Sequence, residues 1–235
     1  ETTWNKVVGG DMAVIATKTD GSLWIWGDNN LGALGNNQSS PGNRRSSPIQ
    51  IGTDTTWADV SNGQSGSFAI KTDGTLWAWG NNQQYGHLGL NENGPGENKS
   101  SPTQVGTDTT WKQVTQSAGR GMAIKTDGTL WAWGNNTYGA LMLNVASDVR
   151  YSSPVQVGSG TDWVKVVQGA DFSLATKTNG TIWVSGIQEF GQLANNVGGS
   201  NATLSSPVQI PGTDWMLTKN ITNDGSKTAI VRQQA

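Results

Sequence analysis

The side chains with the most chemical reach in this 235-residue chain sit in a few short stretches. His87 is the only histidine, so any Ser-His-Asp arrangement would have to use it. It stands in Gln84-Tyr85-Gly86-His87-Leu88, at a place where similar stretches carry Ala33, Ala140 and Gln192. A position that accepts Ala is not held for catalysis, and His87 reads as a loop residue. Asn91 to Glu97 carries two carboxylates, Glu92 and Glu97, which could hold Ca²⁺ through oxygen or act as an acid–base pair. The stretch lacks the Asp spacing of a calcium loop and reads as a solvated loop. Arg44 and Arg45 are adjacent, and Arg forks suit a carboxylate or a sugar acid. With Tyr85, Glu92, Glu97, Lys99, Arg150 and Tyr151 they form the candidate partner-binding set. No residue is assigned to catalysis, to a metal or to a cofactor.

Composition narrows the classes further. Cysteine is absent, which removes disulfides, thiolate–zinc sites and cysteine nucleophiles. Fifteen Lys+Arg against seventeen Asp+Glu leave a net charge of −2, with no basic footprint for nucleic acid. Charged residues are 14% of the chain, against about 25% in an ordinary domain. No apolar run approaches the roughly 18 residues of a membrane span, and no leader-like segment opens the chain. Residue 1 is Glu, which points to a processed or shortened N-terminus. Asn-x-Ser/Thr triplets begin at 37, 98, 135, 179, 201 and 220, and Asn-rich composition generates these freely.

The elements that position these residues follow from an internal repeat. Lys-Thr-Asp-Gly-Thr-Leu-Trp-Ala-Trp-Gly occupies 71–80 and recurs unchanged at 125–134, with variants at 18–27 and 177–186. Ser-Ser-Pro places prolines at 48, 102, 154 and 207, and a leading Trp falls at 4, 57, 111, 163 and 215. Three markers in phase at 52 to 54 residues define four full repeats and the start of a fifth. Each repeat reads as four strands, as in Trp57–Val60, Ser67–Lys71, Thr75–Trp79 and Thr103–Val105. Asp73-Gly74 between the second and third suggests a type I′ turn with positive φ at both residues. Alternation places Trp77 and Trp79 on one face and Leu76 and Ala78 on the other, so both faces are covered by neighbours. In the fifth repeat, strands are expected near Trp215 to Leu217 and Thr228 to Val231.

Four strands per unit at this period describe a β-propeller blade, with a solenoid of hairpins as the alternative. The expected architecture is all-β: antiparallel four-stranded blades over 1–53, 54–107, 108–159 and 160–211, then a half-blade over 212–235, in one repeat domain. The long loops fall at 36–46, 90–100, 143–152 and 195–205.

The run Asp-Gly-x-Leu-Trp-x-Trp-Gly-x-Asn-x-x-x-Gly-x-Leu-Gly resembles the regulator of chromosome condensation repeat. The second repeat matches through Asp73, Gly74, Trp79, Gly80, Asn82, Gly86, Leu88 and Gly89. The first matches through Asp20, Gly21, Trp26, Gly27, Asn29, Gly32, Leu34 and Gly35. The third departs at Met142, where Gly is expected, and the fourth at Ser185 for Trp and Ala194 for Gly. The resemblance implies a seven-bladed ring, for which about 370 residues would be needed. The expectation is therefore the C-terminal part of a larger propeller, with a complete five-blade ring or an arc closed by another chain or by oligomerisation as alternatives, because bare strand edges invite pairing.

The functional expectation is a non-enzymatic binding or structural module at a cell surface or on a virion, recognising a protein or glycan partner, with no cofactor, nucleic acid or membrane insertion. Two alternatives stand beside it. One is nucleotide exchange on a GTPase or chromatin regulation, which the resemblance implies. The other is a propeller enzyme acting on glycans.

Overall fold

The structure is a computed structural model that describes residues 3–64, 66–82, 86–92, 94, 96–188, 191, 193–194 and 203–212, and the backbone of 222–223 and 228–229. Four antiparallel sheets of four strands follow one another along the chain. The first sheet is β1 (Trp4–Gly9), β2 (Ala13–Lys18), β3 (Leu23–Gly27) and β4 (Arg45–Gln50), in that order. The second is β5 (Trp57–Asn62), β6 (Gly66–Lys71), β7 (Leu76–Gly80) and β8 (Lys99–Gln104). The third is β9 (Trp111–Ser117), β10 (Arg120–Lys125), β11 (Leu130–Asn135) and β12 (Arg150–Gln156). The fourth is β13 (Trp163–Gln168), β14 (Phe172–Lys177), β15 (Ile182–Ile187) and β16 (Thr203–Gln209). A short pair, β17 (Thr222–Asn223) and β18 (Thr228–Ala229), follows. The first strand expected near Trp215 lies outside the described residues.

Strands form where apolar and polar residues alternate, and the alternation decides which blade each side chain meets. Leu76 and Ala78 of β7 join Phe68, Ile70, Leu88 and Val105 against Trp111, Val114, Ala123 and Trp133 of the next blade. Trp79, with Trp77 half-buried beside it, faces the preceding blade and meets Ile15, Leu23, Ile25 and Leu34. The third junction repeats the arrangement with Met122, Leu130 and Ala132 against Trp163, Val166 and Ala175. One buried Trp removes about 200 Å² from water, roughly 5 kcal/mol before ordering entropy is subtracted.

Backbone bonds lock the junctions at both ends. The Trp57, Trp111 and Trp163 N–H groups each donate to the hairpin glycine of the preceding blade, Gly21, Gly74 and Gly128, at 3.1 Å. At the other end, Asn37, Asn91 and Asn144 N–H groups donate to Ser100, Ser152 and Ser205, the first serine of each following Ser-Ser-Pro, at 2.6 to 2.8 Å.

The hairpins differ from the type I′ expectation. Neither Asp73 nor its counterparts has positive φ; only the glycine does, at +79° for Gly74. Gly74 N–H donates to Lys71 O at 2.9 Å and Lys71 N–H to Thr75 O at 3.0 Å. That is the three-residue loop in which a left-handed glycine follows an ordinary turn. Asp73 Oδ1 is occupied instead in accepting from Thr75 N and Oγ1 at 3.0 and 2.7 Å. The outer strand also starts earlier than expected, at Lys99 rather than Thr103, and includes Pro102. An outermost strand tolerates proline, because one row of its N–H groups has no ladder partner.

Blade 1 differs from the others on the face that would meet a preceding blade. Trp4 is 45% and Val7 55% exposed, whereas Trp57 and Val60, at the same places one blade on, are 6% and 1% exposed. Trp26 is half-buried where Trp79 and Trp133 are fully buried.

Candidate functional site

Strand order divides the molecule into two ends. Strands 1 and 3 of each blade run towards one end, so the 1–2 turns and the long 3–4 loops gather there. The 2–3 hairpins and the blade-to-blade connectors gather at the other. The hairpin end is nearly uniform: Asp20, Asp73, Asp127 and Asn179 each accept from the Thr or Ser two residues later. The four differ little in sequence, whereas the loop end differs from blade to blade.

The first three of these loops are organised by the Asn of Trp-Gly-x-Asn. Asn29 Oδ1 accepts from Leu34 N–H at 3.0 Å, Asn82 Oδ1 from Leu88 N–H at 3.1 Å and Asn136 Oδ1 from Leu141 N–H at 3.1 Å. Asn82 and Asn136 then hold the far side of the loop by donating to Glu92 O and Ala146 O. These buried amides tie variable loops to repeating blades, and buried polar groups need such partners.

The candidate residues fall on this end in separate clusters. Arg44 Nε lies 3.1 Å from Asp28 Oδ1 on an exposed surface. Arg45 opens β4 and its guanidinium reaches Gln38 Oε1 at 3.3 Å. Glu92 and Glu97 do come together, but around Lys99, whose Nζ lies 2.5 Å from Glu92 and 3.6 Å from Glu97. The Lys99 hydrogen bond holds the Glu92 carboxyl below its ordinary value, and Glu92 in turn raises Lys99. An ammonium between two carboxylates occupies the place that a calcium ion or a transferred proton would need. Arg150 and Tyr151 are strand residues at the start of β12, not loop residues. Arg150 is exposed, whereas Tyr151 is half-buried against the second and third cores. Tyr85 lies outside the described residues.

His87 is a loop residue, as expected, but a buried one. It is 1% exposed, and burial lowers its pKa to about 4. Its carbonyl accepts the indole N–H of Trp133 at 3.0 Å, which draws the loop into the blade junction. Among the described residues no three His, Cys, Asp or Glu side chains gather to hold a metal ion.

Three features have no clear mark in the sequence. The first is a Lys–Trp clasp in every blade: Lys71 Nζ lies 4.8 and 4.2 Å from the ring centres of Trp57 and Trp77, and 2.6 Å from Asp54. Its only trace is the Lys before every Thr-Asp-Gly or Thr-Asn-Gly. The second is Arg120, which is buried and donates to Asn135 O at 3.2 Å and Ala170 O at 2.7 Å, joining blades 3 and 4. Burial lowers its pKa to about 10. The third is the inner wall, a cavity of about 810 Å³ lined by the first strands. There Lys6 pairs with Asp59 of the next blade, and Gln113 exchanges bonds with Val166 O and N.

Consecutive four-stranded blades packed face to face, innermost strands lining one cavity, define a β-propeller. The profile described as "Regulator of chromosome condensation (RCC1) repeat" matches residues 20–70, 73–124 and 127–176, and a second of the same description matches 111–140. The chain belongs to the RCC1 repeat family. It is 26% identical over 207 residues to the human E3 ubiquitin-protein ligase HERC2, covering 86% of this chain and 4% of that protein. It is 32% identical over 136 residues to human Protein RCC2, covering 57% of this chain and 25% of that protein. With the Arabidopsis thaliana ultraviolet-B receptor UVR8 it shares 26% over 189 residues, covering 80% and 42%. The chain thus spans less than half the length of these relatives. Among solved structures, Saccharomyces cerevisiae Prp20p, studied for its binding to Gsp1p and histones, superposes with TM-score 0.81 at 17% identity, over all of this chain and 57% of that one. Human WBSCR16 gives 0.76 at 18% identity, over 96% and 56%. Identities this low speak for the fold.

Proposed function

We propose that this chain is a non-enzymatic recognition module that holds a protein partner on the loop end of the propeller. The observation that carries the reading is the asymmetry of the two ends. The hairpin end is built from near-identical turns, while the loop end presents Arg44, Arg45, Glu92, Glu97, Lys99 and Arg150 on loops and strand starts pinned by Asn29, Asn82 and Asn136. Exposed ion pairs such as Arg44–Asp28 add only about 0–1 kcal/mol to stability, so their presence suits recognition better than folding. Rigid elements presenting variable loops are the usual arrangement for binding. The relatives, as regulators and as parts of larger ligases, support a binding or regulatory role.

Two finer elements belong to the same proposal. The uncharged polar, cysteine-free composition supports a setting on a cell surface or virion, which fractionation of the source tests directly. The exposed Trp4–Val7 face supports completion of the propeller by further blades, whether of the same polypeptide or another copy. The chromatin and nucleotide-exchange alternative draws no support from a net charge of −2.

The test is capture of partners from the source by the immobilised chain, compared with an Arg44→Glu, Arg45→Glu, Arg150→Glu variant and with Asp20→Lys, Asp127→Lys at the hairpin end. Loss of the captured protein in the first variant alone supports the proposal. Equal capture by all three contradicts it.

A further inference from the structure

The departures from the repeat gather at one junction. A cavity of about 300 Å³ opens between blades 3 and 4, lined by Met142, Leu143, Asn144, Gly160, Trp183 and Lys177 among others. Four of its features break the pattern of earlier junctions. Met142 stands where Gly35 and Gly89 stand. Gly160 replaces Asp54 and Asp108, so the connector has no side chain there. The carboxylate returns two residues later as Asp162, in place of Thr56 and Thr110, and takes Lys177 Nζ at 3.0 Å. The lysine shifts as a result. Lys18, Lys71 and Lys125 cap the third-strand Trp of their blades at 3.7, 4.2 and 3.8 Å from the ring centre, whereas Lys177 lies 5.1 Å from Trp183. The half-buried ring of Trp183 is the one least covered by its ammonium.

The chemistry of the cavity is specific. Its wall is mainly apolar and aromatic, and 300 Å³ is the lower end of about 300–1,000 Å³ for ligand sites, room for one ring. Its one cation is already balanced by Asp162, which disfavours a charged ligand and suits neutral hydroxyls that both donate and accept. Asn144 Oδ1 accepts from Ser206 Oγ at 3.2 Å, leaving its NH₂ as a donor at the cavity edge. We propose that this junction is a saccharide subsite for one neutral pyranose ring, its C–H face on Trp183 and its hydroxyls on Lys177 and Asn144, with Asp162 behind them holding the ammonium. The subsite lies on the flank of the propeller; it takes Asn144 from the third long loop but none of Arg44, Arg45, Glu92, Glu97, Lys99 and Arg150, and it stands or falls independently of those.

The test titrates the chain with the methyl glycosides of glucose, galactose, mannose and N-acetylglucosamine, reading tryptophan fluorescence and saturation-transfer NMR. At least one is expected to bind with a dissociation constant of order 1 mM, ordinary for a single ring. The Ser159→Thr, Gly160→Asp, Asp162→Thr variant gives this connector the sequence of 53–56 and 107–110, which the chain already folds twice, and should weaken binding about tenfold or more. Asn144→Gly, at a φ of +52° that glycine adopts freely, removes the amide alone and should weaken it severalfold. Absence of saturable binding by all four glycosides overturns the proposal. So does binding that both variants leave unchanged, or saturation of the same site by benzoate and by no sugar.

Discussion

The indole N–H of Trp133 lies 3.0 Å from the carbonyl oxygen of His87, one blade back, and Trp79 makes the same bond to Ala33 at 3.1 Å. Each ring lies flat against a glycine: a Cβ on Gly89 would sit 2.9 Å from Trp133 Nε1, and one on Gly35 2.7 Å from Trp79 Nε1. At the third junction Met142 keeps the left-handed backbone, with φ at +62°, and Ser185 replaces the Trp. The bond is made there by Ser173 Oγ, which donates to Ala140 O at 2.6 Å. Glycine and tryptophan are thus coupled across the junction, and they change together.

A double-mutant cycle tests this coupling. Trp133→Ser alone should cost about 3–5 kcal/mol through the cavity it leaves. Gly89→Met alone should cost about 1–3 kcal/mol by overpacking the ring. The double variant should be more stable than the sum by about 1–3 kcal/mol. Urea unfolding midpoints decide it, and strict additivity would refute the coupling.

Two glycines with similar φ separate backbone strain from close approach. Gly106, at +60°, has nothing within 4 Å of the place a methyl group would take, so Gly106→Ala should cost about 1–2 kcal/mol. Gly74, at +79°, would place a Cβ 2.0 Å from Thr109 O, and its own carbonyl holds Trp111 N–H. Gly74→Ala should cost roughly 3 kcal/mol or more, since the neighbouring backbone must move. Equal losses in a thermal melt would contradict the junction role of the hairpin.

Acid should destabilise the chain in two separate windows. Burial holds His87 at about 4 in the folded state, against 6.5 for the free side chain. Between those values the unfolded chain binds the proton and the folded one does not. Stability therefore falls as pH drops from 6.5 to 4, by about 3 kcal/mol in all. Asp54, lowered from 3.8 to about 2 chiefly by the Lys71 hydrogen bond, loses its contribution only below that, as pH falls from 3.8 towards 2. His87→Ala, which copies Ala33 and Ala140, should abolish the upper slope and keep the lower. Stability measured at pH 7, 5 and 3 distinguishes the two.

The exposed face of blade 1 should drive association. Trp4→Lys with Val7→Lys places charge where Trp57 and Val60 lie buried one blade on. Light scattering across a concentration series should show the unaltered chain growing in mass and the variant staying monomeric. Identical mass curves would mean that this face is idle.

Much of the blade is legible in the sequence because the same local pattern is written four times. The strand alternation of Leu76 to Trp79 assigns both faces correctly, and the Asp-Gly pairs mark the hairpins. The turn type is not legible, because Asp-Gly suits two loops and only the Lys71–Thr75 bond separates them. The outer strands begin earlier than the sequence suggests because Pro102 reads locally as a strand breaker, while its edge position is set by the other three strands. His87 reads only as a loop residue, and its burial is not legible because it depends on Trp133, 46 residues away. The stretch with Glu92 and Glu97 reads only as a solvated loop, because nothing local shows that Lys99 draws the two carboxylates together. Contacts between blades leave marks in sequence only when equivalent positions are compared, as with Gly89 and Met142.

Recognition on the loop end predicts which side chains a bound partner covers, and carboxylate and arginine footprinting of the chain with its captured partner bound and released reads this out. Protection of Arg44, Arg45, Glu92 and Arg150, with Asp20, Asp73 and Asp127 unchanged, is the expected result. Protection confined to the three hairpin aspartates would contradict it.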